Sequence, residues 1–247
     1  MKSTIATLAL SSLLGPVSVF ARPADTPVRV LPWGWKYEIT ALKGPGCSDF
    51  GKPDYDENHD RHTRLTFGEN TVDGSEVYYW YIAMPSLRVE LGESAAAAAA
   101  STWCEAEIKY TELKDNAGTE ASDYRLRLHK NGTKAIAVYD LAEDVKATLS
   151  LTYLDADITD TLTLNGPAKT EAEYGAYLYL TGGKEKEEYK LPACGAATIK
   201  IRSELRIEGG KEGSTSTVAS EAFKDDKGVH YYGTQYGFSY DWEKCAN

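Results

Sequence analysis

Alternation with a period of two runs through most of this chain and confines it to extended structure. Val145, Ala147, Leu149, Leu151 and Tyr153 alternate with Lys146, Thr148, Ser150 and Thr152. Ile199, Ile201, Leu205 and Ile207 alternate with Lys200, Arg202, Glu204 and Arg206. Tyr236, Phe238, Tyr240 and Trp242 alternate with Gly237, Ser239 and Asp241, and shorter runs at 87–91, 104–110 and 124–128 do the same. Successive side chains of a strand point to opposite faces, so each run has one core face and one wet face. Parallel sheets read instead as continuous apolar runs, so the pattern is antiparallel. Turn residues punctuate it at Asp115-Asn116-Ala117-Gly118, Asn131-Gly132, Asn165-Gly166-Pro167, Gly182-Gly183, Gly209-Gly210 and Asp226-Lys227-Gly228. About a dozen short strands so separated predict an all-β fold, an antiparallel β-sandwich.

Three stretches break the order. Residues 44–61 form a polar loop crowded with carboxylates. Six alanines fill positions 95–100. Alanine favours helix, but a helix this short does not hold in water, so an expanded loop with at most one helical turn is expected. Residues 184–190 read as a solvated, charged hairpin tip.

Four cysteines, Cys47, Cys104, Cys194 and Cys245, have to be placed on this frame. Residues 1–21 have a signal peptide's layout: Lys2, an apolar stretch from Thr4 to Leu14, and small residues at Val19 and Ala21. A Pro-rich extended leader follows over 22–34, and 35–247 is expected to be a single sandwich domain. An even cysteine count in a secreted, extracellular chain predicts two disulfides. No two cysteines lie within five residues of each other, so the paired spacing of a metal site is absent. Three connectivities are possible. Pairing 47 with 104 and 194 with 245 is preferred, because neither loop nests in the other and both chain ends are tied into the sheets. Loops of about 50 residues are worth roughly 4 kcal/mol each on the loop-entropy account. Asn131-Gly132-Thr133 is a sequon in a polar, glycine-containing segment, which makes Asn131 a candidate glycosylation site.

The net charge of −10 and pI near 5.0 argue against nucleic acid or an anionic lipid surface as partner. No second apolar run approaches the roughly 20 residues of a membrane span.

The order of motifs resembles a known family. Leu191-Pro192-Ala193-Cys194-Gly195 leads into an alternating strand and a glycine-rich turn, and the chain closes on Tyr236-Gly237-Phe238-Ser239-Tyr240-Asp241-Trp242-Glu243-Lys244-Cys245. Upstream, Ile39-Thr40 precedes Gly46-Cys47, Leu65-Thr66-Phe67 follows, and Trp103-Cys104-Glu105-Ala106 opens another strand. Together these resemble the small secreted proteins, common in filamentous fungi, catalogued as domain of unknown function 4360 (DUF4360). The resemblance spans about Ile39 to Cys245. It implies secretion, a β-rich fold and paired cysteines, and it supplies no agreed activity and no catalytic residues. This chain departs from the family in its Lys and Glu content, its alanine run and its longer acidic insert after Cys47.

Candidate chemistry is sparse. Asp54, Asp56, Asn58 and Asp60 place oxygens at the spacing of the first half of a calcium loop. His59 stands where the turn glycine belongs and Leu65 where the bidentate glutamate belongs, so the motif admits at most a weak calcium site against the alternative of a solvated acidic loop. No other cofactor is implied. His59 and His62 lack the His-Glu-x-x-His pattern, while His129 and His230 stand alone. No serine sits in a Gly-x-Ser-x-Gly elbow, so no catalytic residue is assigned. Tyr78-Tyr79-Trp80-Tyr81 puts rings on both faces of one strand, and Tyr78 and Trp80 are the candidates for stacking on a ligand. Three functions follow. A non-enzymatic protein binding cell-wall polysaccharide or a host surface comes first. An effector with a host protein partner is second, and a glycoside hydrolase using two carboxylates third.

Overall fold

The computed structural model describes residues 31–72, 75–92, 99–171, 175–181, 189–226 and 228–246, with side chains outside 67–78, 222–225 and 229–231. The signal peptide, most of the leader, Ala95–Ala98, the tip at 184–188 and the side chains of Tyr78 and His230 lie outside these residues.

The strands are β1 (Gly34–Lys43), β2 (Arg64–Val72), β3 (Ser75–Met84), β4 (Val89–Leu91), β5 (Ala99–Leu113), β6 (Tyr124–Leu141), β7 (Val145–Tyr153), β8 (Ile158–Asn165), β9 (Ala168–Lys169), β10 (Ala176–Leu180), β11 (Tyr189–Lys190), β12 (Ala196–Gly209), β13 (Ser216–Ala219), β14 (Ala222–Asp225), β15 (Gly228–Tyr231) and β16 (Thr234–Lys244). One sheet has the order β1-β5-β12-β7-β8. The other runs β2-β3-β16-β6-β13-β4, and β14 pairs β15 in a separate hairpin. All pairings are antiparallel. The expected sandwich is therefore what forms.

The alternation explains which face goes in. In β7, Val145, Ala147, Leu149, Leu151 and Tyr153 are buried while the residues between them meet solvent or half meet it. Register carries the stripe across the sheet, with Leu149 opposite Leu205, and Ile39 and Ile199 both opposite Ile108. The second sheet answers with Trp80, Ile82, Met84, Tyr236 and Phe238, all fully buried. Several polar tips that cross the core find partners there, as burial favours. Tyr236 OH donates to Glu204 O at 2.9 Å, and Trp242 Nε1 donates to Tyr110 OH at 3.0 Å. Thr133 Oγ1 and Tyr153 OH lie 3.0 Å apart.

Both disulfides take the preferred pairing. Cys47 bonds Cys104 and Cys194 bonds Cys245, with Cα separations of 5.5 and 6.5 Å. The first braces one sheet, joining the turn after β1 to β5. The second joins the lead into β12, in that sheet, to the end of β16 in the other.

Two local readings are corrected. Ala99 and Ala100 are not loop but the first residues of β5, paired with Glu208 and Ile207, because β12 supplies a ladder that isolated alanines lack. Asn131-Gly132 is not a chain reversal but part of a bulge inside β6. Leu128 opposes Tyr240 and Thr133 opposes Phe238, so four residues of β6 face only Ser239. Positive φ at His129 (65°) and Gly132 (71°) lets the backbone bow out there. The bow carries His129 into the core, where Nε2 meets Asp160 Oδ2 of β8 at 2.7 Å and both side chains are 3 % exposed. It thus ties the two sheets together with a buried polar pair.

Glu112 of β5 is also buried, and its Oε2 accepts the Tyr124 N–H at 2.9 Å. Burial pushes its carboxyl above the ordinary value, against the pull of that hydrogen bond. The folded state then holds the proton more tightly than the unfolded chain does. Its contribution to stability is present below the unfolded pKa and is lost as pH rises through the folded one. Glu112→Gln is expected to raise the urea midpoint at pH 7 and to leave it nearly unchanged at pH 4.

Candidate functional site

The sequence candidates separate at once. Trp80 is fully buried, its ring 4.9 Å from Phe238 and 4.6 Å from Tyr37. It is a core residue and is closed to ligand. The parity of β3 is the reverse of the one that a wet Trp80 requires, because its neighbours Ile82 and Met84 need the same inward face.

The acidic loop does not gather its oxygens on a point. Asp56 Oδ1 accepts the Asn58 N–H at 2.9 Å and the Asn58 amide at 3.3 Å. The backbone bond holds the Asp56 carboxyl below its usual range. The His62 ring lies against the Asp56 backbone, its Nδ1 2.9 Å from the amide N, and the His59 ring nitrogen is 3.1 Å from Asp60. Among the described residues no three His, Cys, Asp or Glu side chains converge as metal ligands. Asp54, Asp56, Asn58 and Asp60 are exposed, and Asp56 with Asn58 serves the turn geometry of the loop.

A groove of about 670 Å³ opens on β4, β13 and β6, between Glu90, Asp140, Thr217 and Glu221. Arg88 Nη1 stands 3.8 Å from Glu90 and Lys169 Nζ 2.6 Å from Asp140. Both carboxylates therefore sit beside cations at the groove wall.

The outward face of the second sheet is different. In β10, Leu178 and Leu180 point into the core, while Tyr177 and Tyr179 on the other parity are 64 % and 60 % exposed. β10 takes the free edge of β6, since residues 133–136 already pair β16 on the other side. One cross-strand row reads Tyr81, Gly237, Lys134, Tyr179, and the next reads Ala83, Gln235, Ile136, Tyr177. Partners in such rows share a face. Gly237 has no side chain because the Tyr81 ring occupies its place, and a Cβ there would lie 2.3 Å from that ring. Tyr79 and Tyr81 form the lower layer, with ring centroids 6.2 Å apart and 3 % and 5 % exposure. Burial pushes the Tyr81 hydroxyl up to about 12, helped by Tyr177 and Tyr179. Tyr79 OH donates to Asn131 O, so the bulge of β6 anchors the layer. Tyr177 and Tyr179 form the upper layer: two apolar rings facing water about 7 Å apart along one strand.

Reasoning from sequence alone missed this pair, although Ala176-Tyr177-Leu178-Tyr179-Leu180 carries the signal in its alternation. The sequon lies alongside. Asn131 is exposed, whereas Thr133 turns inward to Tyr153.

No family model matches the chain, and no curated protein does. Among solved structures it is similar to TmCBM61 in complex with β-1,4-galactotriose, at 10% identity over 87% of this chain and 91% of that one, with TM-score 0.16. TmCBM27, a carbohydrate-binding module described for specific mannan recognition, matches at 12% identity over 85% and 99%, with TM-score 0.15. A structure of the Gt strain of infectious bursal disease virus matches at 10% identity over 86% and 65%, with TM-score 0.20. Likenesses at these scores carry no argument, so the fold rests on the sheet registers and the site on its side chains.

Proposed function

We propose that this protein is an extracellular, non-catalytic β-sandwich that binds cell-wall polysaccharide on the tyrosine face of β10. The observation that carries the reading is the pair Tyr177 and Tyr179, exposed at 64 % and 60 % on a strand whose other face is core. Exposed rings with a polar tip stack on the C–H faces of sugars and hydrogen-bond at their edge. The buried layer of Tyr79 and Tyr81 lies on the same face beneath them. Two disulfides suit an oxidising compartment and support the extracellular assignment. Membership of the DUF4360 family belongs to the same proposal. The two motifs that carry the resemblance, around Cys194 and Cys245, are the two ends of one disulfide. A glycan on Asn131 is proposed as well. Thr133 is buried in the fold, so attachment precedes closure of the sheet.

The test is retention on insoluble chitin, β-glucan, cellulose and pectin, with the supernatant assayed for released sugar. Tyr177→Ala and Tyr179→Ala are each expected to weaken retention about tenfold or more, as for an anchoring aromatic. Both should keep stability within about 0.5 kcal/mol of the wild type, since the rings stand in water. Retention on none of the four, or unchanged retention of the double variant, overturns the proposal. Sugar released by the wild type overturns its non-catalytic half and revives the carboxylate hydrolase.

A further inference from the structure

Lys134 lies beneath the platform. It is 2 % exposed, yet its Nζ stands 3.9 Å from the Tyr79 ring centroid and 4.9 Å from that of Tyr179. Among the described residues no carboxylate pairs with it. Two tyrosine faces partly stabilise such a cation, but a buried charge of this kind still calls for an anion.

More cations continue along the same face. Thr133 and Leu128 both point inward, opposite Phe238 and Tyr240, so Lys134 and Arg127 share the outward side across the bulge. Arg127 grips Asp241 with two bonds of 2.7 Å, and Lys130 reaches the same carboxylate. Lys190 of β11, opposite Arg127, meets Glu243 at 2.8 Å. Arg125 faces Glu243 from the next row. Glu243 is held below the usual carboxylate range, first by Lys190 and then by the fields of Arg127 and Arg125. Among the described residues, Arg125, Arg127, Lys130, Lys134 and Lys190 share this face with the carboxylates of Asp241 and Glu243 on β16, on a chain whose net charge is −10. The row of Asp241 and the row of Tyr177 are about 20 Å apart along the sheet. A polymer laid along β16 meets rings at one end and cations at the other.

We infer that the polysaccharide is acidic, its sugar faces on Tyr177 and Tyr179, within the field of Lys134 below them, and its carboxylate or sulfate groups on the part-exposed strip of Arg127, Lys130 and Lys190. This rests on the platform reading above and narrows it to a substrate class.

The experiment is affinity electrophoresis of the full chain in gels holding matched polymers: polygalacturonate against its methyl ester, and dextran sulfate against dextran. The wild type is expected to bind at least one charged polymer about tenfold more tightly than its neutral partner, with the preference fading as salt shortens the screening length. The arm in which this occurs tells carboxylate from sulfate. Lys134→Met and, at the surface, Lys130→Gln should lose the preference while keeping neutral binding; Lys130→Gln bears the test if Lys134→Met fails to fold. Equal, salt-indifferent binding to charged and neutral partners overturns the inference and leaves the platform standing. A preference that survives both lysine variants overturns the assignment to these cations. No retardation by any polymer, or retardation untouched by Tyr177→Ala and Tyr179→Ala, overturns the platform itself.

Discussion

Trp80→Ala is expected to cost about 3–5 kcal/mol and to lower the melting temperature by roughly 10 °C. The indole is fully buried where both sheets meet, against Phe238 of its own sheet and Tyr37 of the other. Truncation removes its transfer free energy and leaves a void that neighbours on paired strands cannot fill. Domains hold only about 5–15 kcal/mol in all, so the variant stands near the edge of folding. Urea unfolding with and without polysaccharide separates this from a role in contact. A variant as stable as the wild type that has lost binding contradicts the inward orientation of Trp80. A much less stable variant that, where folded, still binds agrees with it.

The second large effect concerns Cys194–Cys245. The bridge closes a sequence separation of 51 and crosses from one sheet to the other. Cys194→Ser with Cys245→Ser is expected to cost about 4 kcal/mol, chiefly through the freedom returned to the unfolded chain. Cys47–Cys104, with a separation of 57, is expected to contribute similarly from within one sheet. Loss of both approaches the whole stability of a typical domain, so the fully reduced protein should be unfolded at 37 °C. Circular dichroism in reductant reads this directly, and a native spectrum in the fully reduced chain contradicts it.

The sandwich was legible where sequence alternation was strict. Strands β7, β12 and β16 each place apolar and polar residues in turn, so period alone says which face goes in. The cysteine pairing was legible for a topological reason, since chain ends tied locally need no nested loops. Strand β3 was not legible. In Tyr78-Tyr79-Trp80-Tyr81 both parities are aromatic, and only packing with Phe238 and Tyr37 decides between them. The Asn131-Gly132 bulge carries the same residues as a hairpin turn. What keeps β6 straight is β16 running alongside, a partner far away in sequence. Lys134 reads as an ordinary surface lysine, and its burial depends on Tyr79 and Tyr179, which arrive from two other strands. The tyrosines of β10 were legible in principle, but five residues are a short run.

β10 is hydrogen-bonded to β6 along its length, and the residue that follows it, Thr181, bonds Thr161 of β8 in the opposite sheet at 2.8 Å in both directions. The backbone under Tyr177 and Tyr179 is therefore fixed from both sheets. Among the described residues, docking a sugar there calls for no change in the β10 backbone, and the two rings bear a conformational cost of about 0.5–1.5 kcal/mol for each side chain held still. Calorimetry of the complex should accordingly show only a small entropic penalty from the protein, with the ligand's own chain ordering making up most of the rest.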